Sequence, residues 1–387
     1  MKRAVIIILD GVGIGAAPDA QAYGDAGSDT LGNLSRACGG LSLPRLERLG
    51  LGNIRHIEGM NRRGDAAGAW GSMRPASAGK DSTAGHWEIA GIHLDRPFPT
   101  FPSGFPPEVL EPFIRETGRP VIANVVASGT EVIERYAPEH EKTGAWIVYT
   151  SADSVFQIAA HEAAVPLAEL YRACEVARKI LKPPHDVSRV IARPFTGARG
   201  TYQRTANRRD YSIEPPRETL LDALRDAGVA RSGVGKVDDL FGGRSIESRH
   251  TASNAEGIRL ITEWLGSAES GLLFANLVDF DQLFGHRNDV PGFYAALREF
   301  DAALPSITSH LQEDDLLFIT ADHGNDPTTP STDHAREIVP LLASGMRVVP
   351  GDLGQRDSFS DLGATIAEWL GISFRGRGAS FLPELVA

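Results

Sequence analysis

The sequence predicts an α/β fold: a mainly parallel sheet with helices on both faces, interrupted by an inserted, smaller α/β domain. Three observations predict it. Residues 5–9, 272–278, 316–320 and 339–343 are short apolar runs, the pattern of strands buried on both faces. Helical periodicity at 219–227, 255–265, 294–304 and 361–370 alternates with those runs, and repeated strand-then-helix units imply parallel pairing. Finally, 387 residues exceed what one hydrophobic core supports. Two proline-rich stretches, Pro97 to Pro107 and Glu214-Pro215-Pro216, cannot continue a helix or a central strand and read as hinges.

In chain order, Ala4 to Leu9 opens the molecule. Six apolar residues after Lys2-Arg3 fall short of the about 7–15 that a signal peptide needs, so the run is a buried strand that ends at Asp10. Residues 79–89 pass from small and hydroxyl side chains into a helical pattern, which puts Ser82 or Thr83 at a helix N-terminus. Residues 98–215 form the insertion, with strands expected at 144–150 and 189–192 and a helix from 167 to 181. Leu167, Leu170, Cys174, Ala177 and Leu181 share one face of that helix, so Cys174 is a core residue. Residues 1–97 and 216–387 then make one discontinuous core domain. In such folds ligands sit beyond the carboxyl ends of the strands.

Composition narrows the function. Hydrophobic residues make up 42% and charged residues 23%, the balance of a soluble globular chain. Thirty-nine Lys plus Arg against fifty Asp plus Glu give a net charge of −11, and the pI is near 5.5. That argues against nucleic acid or an anionic membrane as partner, and no run is long enough to cross a bilayer. Two cysteines, Cys38 and Cys174, make neither a disulfide framework nor a thiolate zinc site. A cytoplasmic protein is expected.

Acids and histidines collect where the strands end. Asp10 closes the first. Asp279 and Asp281 follow residues 272–278, with His286 five residues beyond Asp281. Asp322 and His323 follow residues 316–320, and His334 lies eleven residues after His323. Mixed oxygen and nitrogen donors without thiolate suit Mn²⁺, Mg²⁺ or Zn²⁺. The set is too large for one tetrahedral ion. Two ions about 3.5–4 Å apart would use it, as in phosphoryl-transfer enzymes, and Asp10, Asp281 and Asp322 would offset their mutual repulsion. On a regular strand Asp322 and His323 would face opposite ways; they converge only if the chain has left the strand, which Gly324 permits. Taken alone, the Ser82 segment is ordinary helix capping; beside a dimetal site Ser82 becomes a candidate nucleophile, since a hydroxyl needs a base or a metal to activate it. Six arginines between 189 and 209, with no acid among them, read either as an anion-binding face or as a solvated loop.

These motifs, in this order, resemble the alkaline phosphatase superfamily and within it the bacterial phosphopentomutases. The resemblance rests on Asp10-Gly11-Val12-Gly13, Gly79-Lys80-Asp81-Ser82 with Gly85-His86-Trp87-Glu88, Asn276-Leu277-Val278-Asp279-Phe280-Asp281 with Phe284-Gly285-His286, Asp322-His323-Gly324-Asn325-Asp326 and Thr332-Asp333-His334. It spans the chain, insertion included. It implies an alkaline-phosphatase-like core, an inserted cap, and interconversion of (deoxy)ribose 1-phosphate and 5-phosphate with two Mn²⁺, for which Mg²⁺, Co²⁺ or Zn²⁺ could stand. It further implies that Asp10, Ser82, Asp322 and His323 hold one ion and Asp281, His286 and His334 the other, and that Ser82 carries the phosphoryl group. By the same resemblance Ser151 and Asp153 meet the pentose hydroxyls, and Arg189, Arg204 and Lys236 hold the substrate phosphate. In that family threonine is usual where Ser82 stands and serine where Gly11 stands; both residues found here match cofactor-independent phosphoglycerate mutases. A mutase of that kind or a phosphatase is the alternative reading.

Overall fold

The computed structural model describes residues 2–387 except Ala152. The chain divides into two compact units, one running to Pro97 and resuming at Pro215–Ala387, the other being Phe98–Glu214.

The first unit is built on an eight-stranded sheet in the order Glu247–Arg249, Arg231–Val234, Gly271–Leu277, Arg3–Leu9, Asp315–Thr320, Val339–Ser344, Ala69–Met73, Gly351–Arg356. The three strands at its middle are buried along their whole length, because helices cover both faces. Helices Leu220–Asp226, Asn254–Gly266, Val290–Thr308 and Ser360–Leu370 supply that cover, and each contains the residues expected to be helical to within a turn. One expectation needs correction. Val339–Ser344 pairs antiparallel with both of its neighbours, while every other pairing in the sheet is parallel. No helix separates it from Thr320, so the chain makes no crossover and returns alongside the strand it has just left.

The second unit carries a mixed sheet ordered Val121–Val126, Trp146–Thr150, Val155–His161, Arg189–Thr196, Gln203–Arg204, with Arg209–Ser212 also on the Arg189–Thr196 strand. Period-two alternation divides its core. Trp146 and Val148 pack with Phe113, Phe156, Leu170 and Cys174, whereas Ile147 and Tyr149 pack with Val132, Ile133 and Phe195. Cys174 is fully buried, as its helical position demands, and burial drives its thiol pKa well up.

Candidate metal and phosphoryl-transfer site

Parallel register gathers the site. Leu9 pairs with Leu277, and Ile8 with both Asn276 and Thr320, so three strands end level and release their next residues at one sheet edge. Asp10 follows directly. Gly11 then turns the chain with φ +75, a left-handed conformation that glycine adopts without steric cost. After the second strand a π-helical turn, Phe280–Phe284, carries Asp281, and a 3₁₀ turn, Gly285–Arg287, carries His286. Such turns recur at functional sites. The third strand stops at Thr320. Asp322 and His323 therefore escape strand alternation, and His323 Nε2 comes within 3.5 Å of Asp322 Oδ2. Gly324 serves by absence of bulk rather than by an unusual φ, since a Cβ there would collide with Glu337.

Ser82 is the first residue of the helix Ser82–Ile89. Asp81 takes the cap, its Oδ1 accepting from Ala84 N at 3.1 Å. That leaves the Ser82 hydroxyl free to meet His323 Nε2 at 3.0 Å. At Gly85 the helix runs against the Asp322 backbone with no room for a Cβ.

His323 Nε2 also stands 3.3 Å from Asp10 Oδ1. His286 Nε2 lies 3.0 Å from Asp281 Oδ2, and His334 Nε2 3.6 Å from Asp281 Oδ1. The His323 and His286 rings lie 4.3 and 4.8 Å from that of His334. The three imidazoles share an orientation. Nδ1 faces an oxygen, Thr332 O at 2.6 Å for His286, Gly324 O at 3.0 Å for His323 and Asp333 Oδ1 at 3.8 Å for His334. Each Nε2 turns toward the acids. Where Nδ1 donates to such an oxygen, as His286 and His323 are placed to do, the Nε2 lone pair is free to bind a cation.

Electrostatics point the same way. Asp10, Asp281, Asp322, His323 and His334 are buried. Burial, then repulsion from Asp322, pushes the Asp10 pKa up. Burial would also raise Asp281 and Asp322, but His334 beside the first and His323 beside the second hold both below the carboxylate range, Asp281 well below. Burial would lower His323, yet Asp322 and Asp10 lift it well above its ordinary value. Asp10 Oδ1 and Asp322 Oδ2 remain buried without a hydrogen bond, which is costly unless something binds them. Among the donor groups that converge closely enough for an ion are Asp281 with His286 and His334, and Asp10 with Asp281 and His323. The residues fit divalent metal.

The remaining candidates fall in several places. Lys236 Nζ donates to Gln282 Oε1 at 3.0 Å, next in sequence to Asp281. In the second unit Ser151 and Asp153 follow the Trp146–Thr150 strand, Asp153 N donating to Ser151 Oγ at 3.4 Å. Arg189 begins its strand, and its Nη1 is 3.8 Å from Asp210 Oδ2. Arg204 is exposed on a two-residue strand, its guanidinium against Gly129. Asp210, one residue past the arginine run, also pairs with Arg208 at 2.6 Å, so part of that charge is answered by a salt bridge. Asp279 stays out of the cluster; its Oδ2 accepts from Asn254 N at 2.7 Å.

Acid-and-histidine reading missed two amides. Asn276 Nδ2 donates to Asp10 Oδ2 at 2.9 Å, and Asn325 Nδ2 to Asp281 Oδ1 at 2.7 Å. Both lie inside motifs quoted for their acids, one residue before a strand end and two after His323.

Comparison with known proteins agrees with this chemistry. The Metalloenzyme superfamily model matches residues 2–374, so the chain has the fold of a metalloenzyme that uses divalent metal. A phosphopentomutase of Desulfitobacterium hafniense is 55% identical over 100% of both chains. One from Dictyoglomus thermophilum is 55% identical over 100% of this chain and 99% of its own. The chain belongs to the phosphopentomutase family of that superfamily. A solved Pyrococcus horikoshii protein shares the fold at 16% identity, TM-score 0.51, covering 97% of this chain and 99% of that one.

Proposed function

We propose that this enzyme interconverts (deoxy)ribose 1-phosphate and (deoxy)ribose 5-phosphate through a phosphoserine at Ser82 and a pentose bisphosphate. One observation carries the reading: the Ser82 hydroxyl, at a helix N-terminus, meets His323 Nε2 at 3.0 Å beside the buried acids. The relatives named phosphopentomutase support it and do not favour a phosphoglycerate mutase or a phosphatase. Asp10, Ser82, Asp322 and His323 would hold one Mn²⁺, and Asp281, His286 and His334 the other; Mg²⁺, Co²⁺ or Zn²⁺ also suit these donors. Once bound, the ions supply charge neutralisation for the phosphoryl group and lower the pKa of the Ser82 hydroxyl.

The chain's own groups do the rest. First-turn N–H groups of Ser82–Ile89 stabilise the phosphoserine dianion. A sugar hydroxyl attacks that phosphorus; a P–O bond to the sugar forms, the bond to Ser82 Oγ breaks, and the proton released by the sugar balances the one that Oγ gains. The bisphosphate then returns its other phosphoryl group to Ser82. Arg189, Arg204 and Lys236 hold the phosphate that is not moving, and Ser151 and Asp153 bind the pentose hydroxyls. A cytoplasmic setting fits two unpaired cysteines, Cys38 and Cys174. Among the described residues no helix is long and apolar enough to cross a membrane.

Incubation with ribose 5-phosphate and Mn²⁺ tests the reading. Ribose 1-phosphate should accumulate without free phosphate. Inorganic phosphate as the sole product would make the enzyme a phosphatase and overturn the proposal.

A further inference from the structure

We propose that Asn276 and Asn325 are positioning residues, each holding one carboxylate of the site by an uncharged donor, so that the acid keeps its full charge for an ion. The proposal rests on the metal reading above. Each acid receives a single neutral N–H: Asp10 Oδ2 from Asn276 Nδ2 at 2.9 Å, Asp281 Oδ1 from Asn325 Nδ2 at 2.7 Å, and Asp322 Oδ1 from the Gly11 backbone at 3.2 Å. Among the described residues, the basic side chains seen beside the three acids are histidines, with no lysine or arginine. A lysine or arginine here would fix a carboxylate equally well, but would cancel the charge an ion needs.

Both amides are almost wholly buried, with Asn276 at 2% and Asn325 at 0% exposure, and both leave Oδ1 without a partner. A buried amide with half its capacity unmet is costly. An apolar residue would serve packing better, so the N–H toward the acid is what these positions supply. Space has been cleared for one of them. A Cβ on Gly11 would stand 3.0 Å from Asn325 Cβ, and one on Gly285 would stand 2.5 Å from Asn325 Cγ. Two loops thus yield room to a single side chain that reaches Asp281.

Asn276→Leu and Asn325→Leu keep the approximate shape and delete only the donor. Mn²⁺ titration calorimetry on chelator-stripped protein reads the result without relying on turnover. Wild type should bind two ions. Asn276→Leu should weaken the ion that Asp10 holds, and Asn325→Leu the one that Asp281 holds with His286 and His334. Each loss should be about 10- to 100-fold in Kd, with the other ion and the melting temperature in chelator little changed. Combining Asn325→Leu with His334→Ala identifies the ion affected, because the two losses then fall on one site. Wild-type affinity for both ions in both variants overturns the proposal. So does equal weakening of both ions with a fall in chelated melting temperature, which would mark a merely structural role. Asn276→Ala and Asn325→Ala, which add no bulk, replace either leucine variant that does not fold. If wild type binds no ion, the metal reading itself fails, a result distinct from failure of the amide proposal.

Discussion

The two units use charge in opposite ways. In the first, three carboxylates and three imidazoles are drawn together at a sheet edge, most of them out of water, with two acid oxygens lacking a hydrogen bond. In the second, Arg189, Arg204 and Arg208 are partly or fully exposed, and Asp210 answers the first and last. Arg193 lies deeper among them, and burial, then Arg208, brings its pKa down to about 10. A buried anionic cluster attracts small dehydrated cations and can direct bond making. An open arginine face grips a hydrated anion and adds affinity. The comparison predicts that damage to the first unit stops chemistry while damage to the second weakens binding.

Ser82→Ala gives the largest break. Deleting a covalent nucleophile should lower kcat by about 10⁴-fold or more, with the ion that Asp281, His286 and His334 hold still bound by calorimetry. His334→Ala should abolish turnover too, but by a separable route: one Mn²⁺ lost, with folding intact by circular dichroism, because a loop ligand carries little of the core. Full activity in His334→Ala would remove the dimetal assignment.

The central strands were legible because they are predominantly apolar runs. The outlying strands Ala69–Met73, Arg231–Val234 and Gly351–Arg356 were not, since their sequences, AWGSM, RSGV and GDLGQR, mix glycine with polar residues. The direction of Val339–Ser344 was hidden because its apolar pattern is the same in either sense. At the site, Asp and His were legible by position after a strand. Asp279 satisfied that rule and yet serves a neighbouring helix, because the π-helical turn selects which acid faces the cluster. Asn276 and Asn325 do not titrate, and only coordinates reveal what a neutral amide touches. Asp210 sits one residue beyond the arginine window, so the salt bridge that tempers the patch lay outside it.

Arg204→Ala tests the other half of the comparison. A charge-assisted bond worth about 1.5–3 kcal/mol translates to a loss of roughly 10- to 150-fold in kcat/KM. Mn²⁺ affinity should not move. If Arg204→Ala sheds metal instead, the division of labour between the units is wrong.

A smaller effect is expected from pH. His323 has its folded pKa raised well above 6.5, so in metal-free protein its stabilising contribution is complete below about 6.5 and fades as pH climbs through the raised value. A metal-ligating His323 must be neutral. Apparent Mn²⁺ affinity should therefore increase with pH across that window, and the metal-induced gain in Tm should widen. Thermal melts with and without Mn²⁺ read this directly. A constant gain across the window would mean that His323 loses no proton when metal binds.

Ser82→Thr should change least. Both hydroxyls can carry the phosphoryl group, and Asp81 rather than residue 82 caps the helix, so the swap disturbs no cap. Threonine's extra methyl stiffens χ1 and shields phosphorus a little from water. The variant should remain a mutase, with kcat within about tenfold of wild type and slower release of phosphate to water. Thr83, one residue on and 3% exposed, is the internal control, and Thr83→Ala should keep most activity. Intact-mass measurement after treatment with a pentose bisphosphate should find one added phosphoryl group, mapping to Ser82 in wild type and to the new threonine in Ser82→Thr. Phosphate on Thr83, with Ser82→Ala still active, would move the nucleophile one residue along the helix. The 3.0 Å contact between Ser82 and His323 would then be a resting contact rather than the start of the reaction.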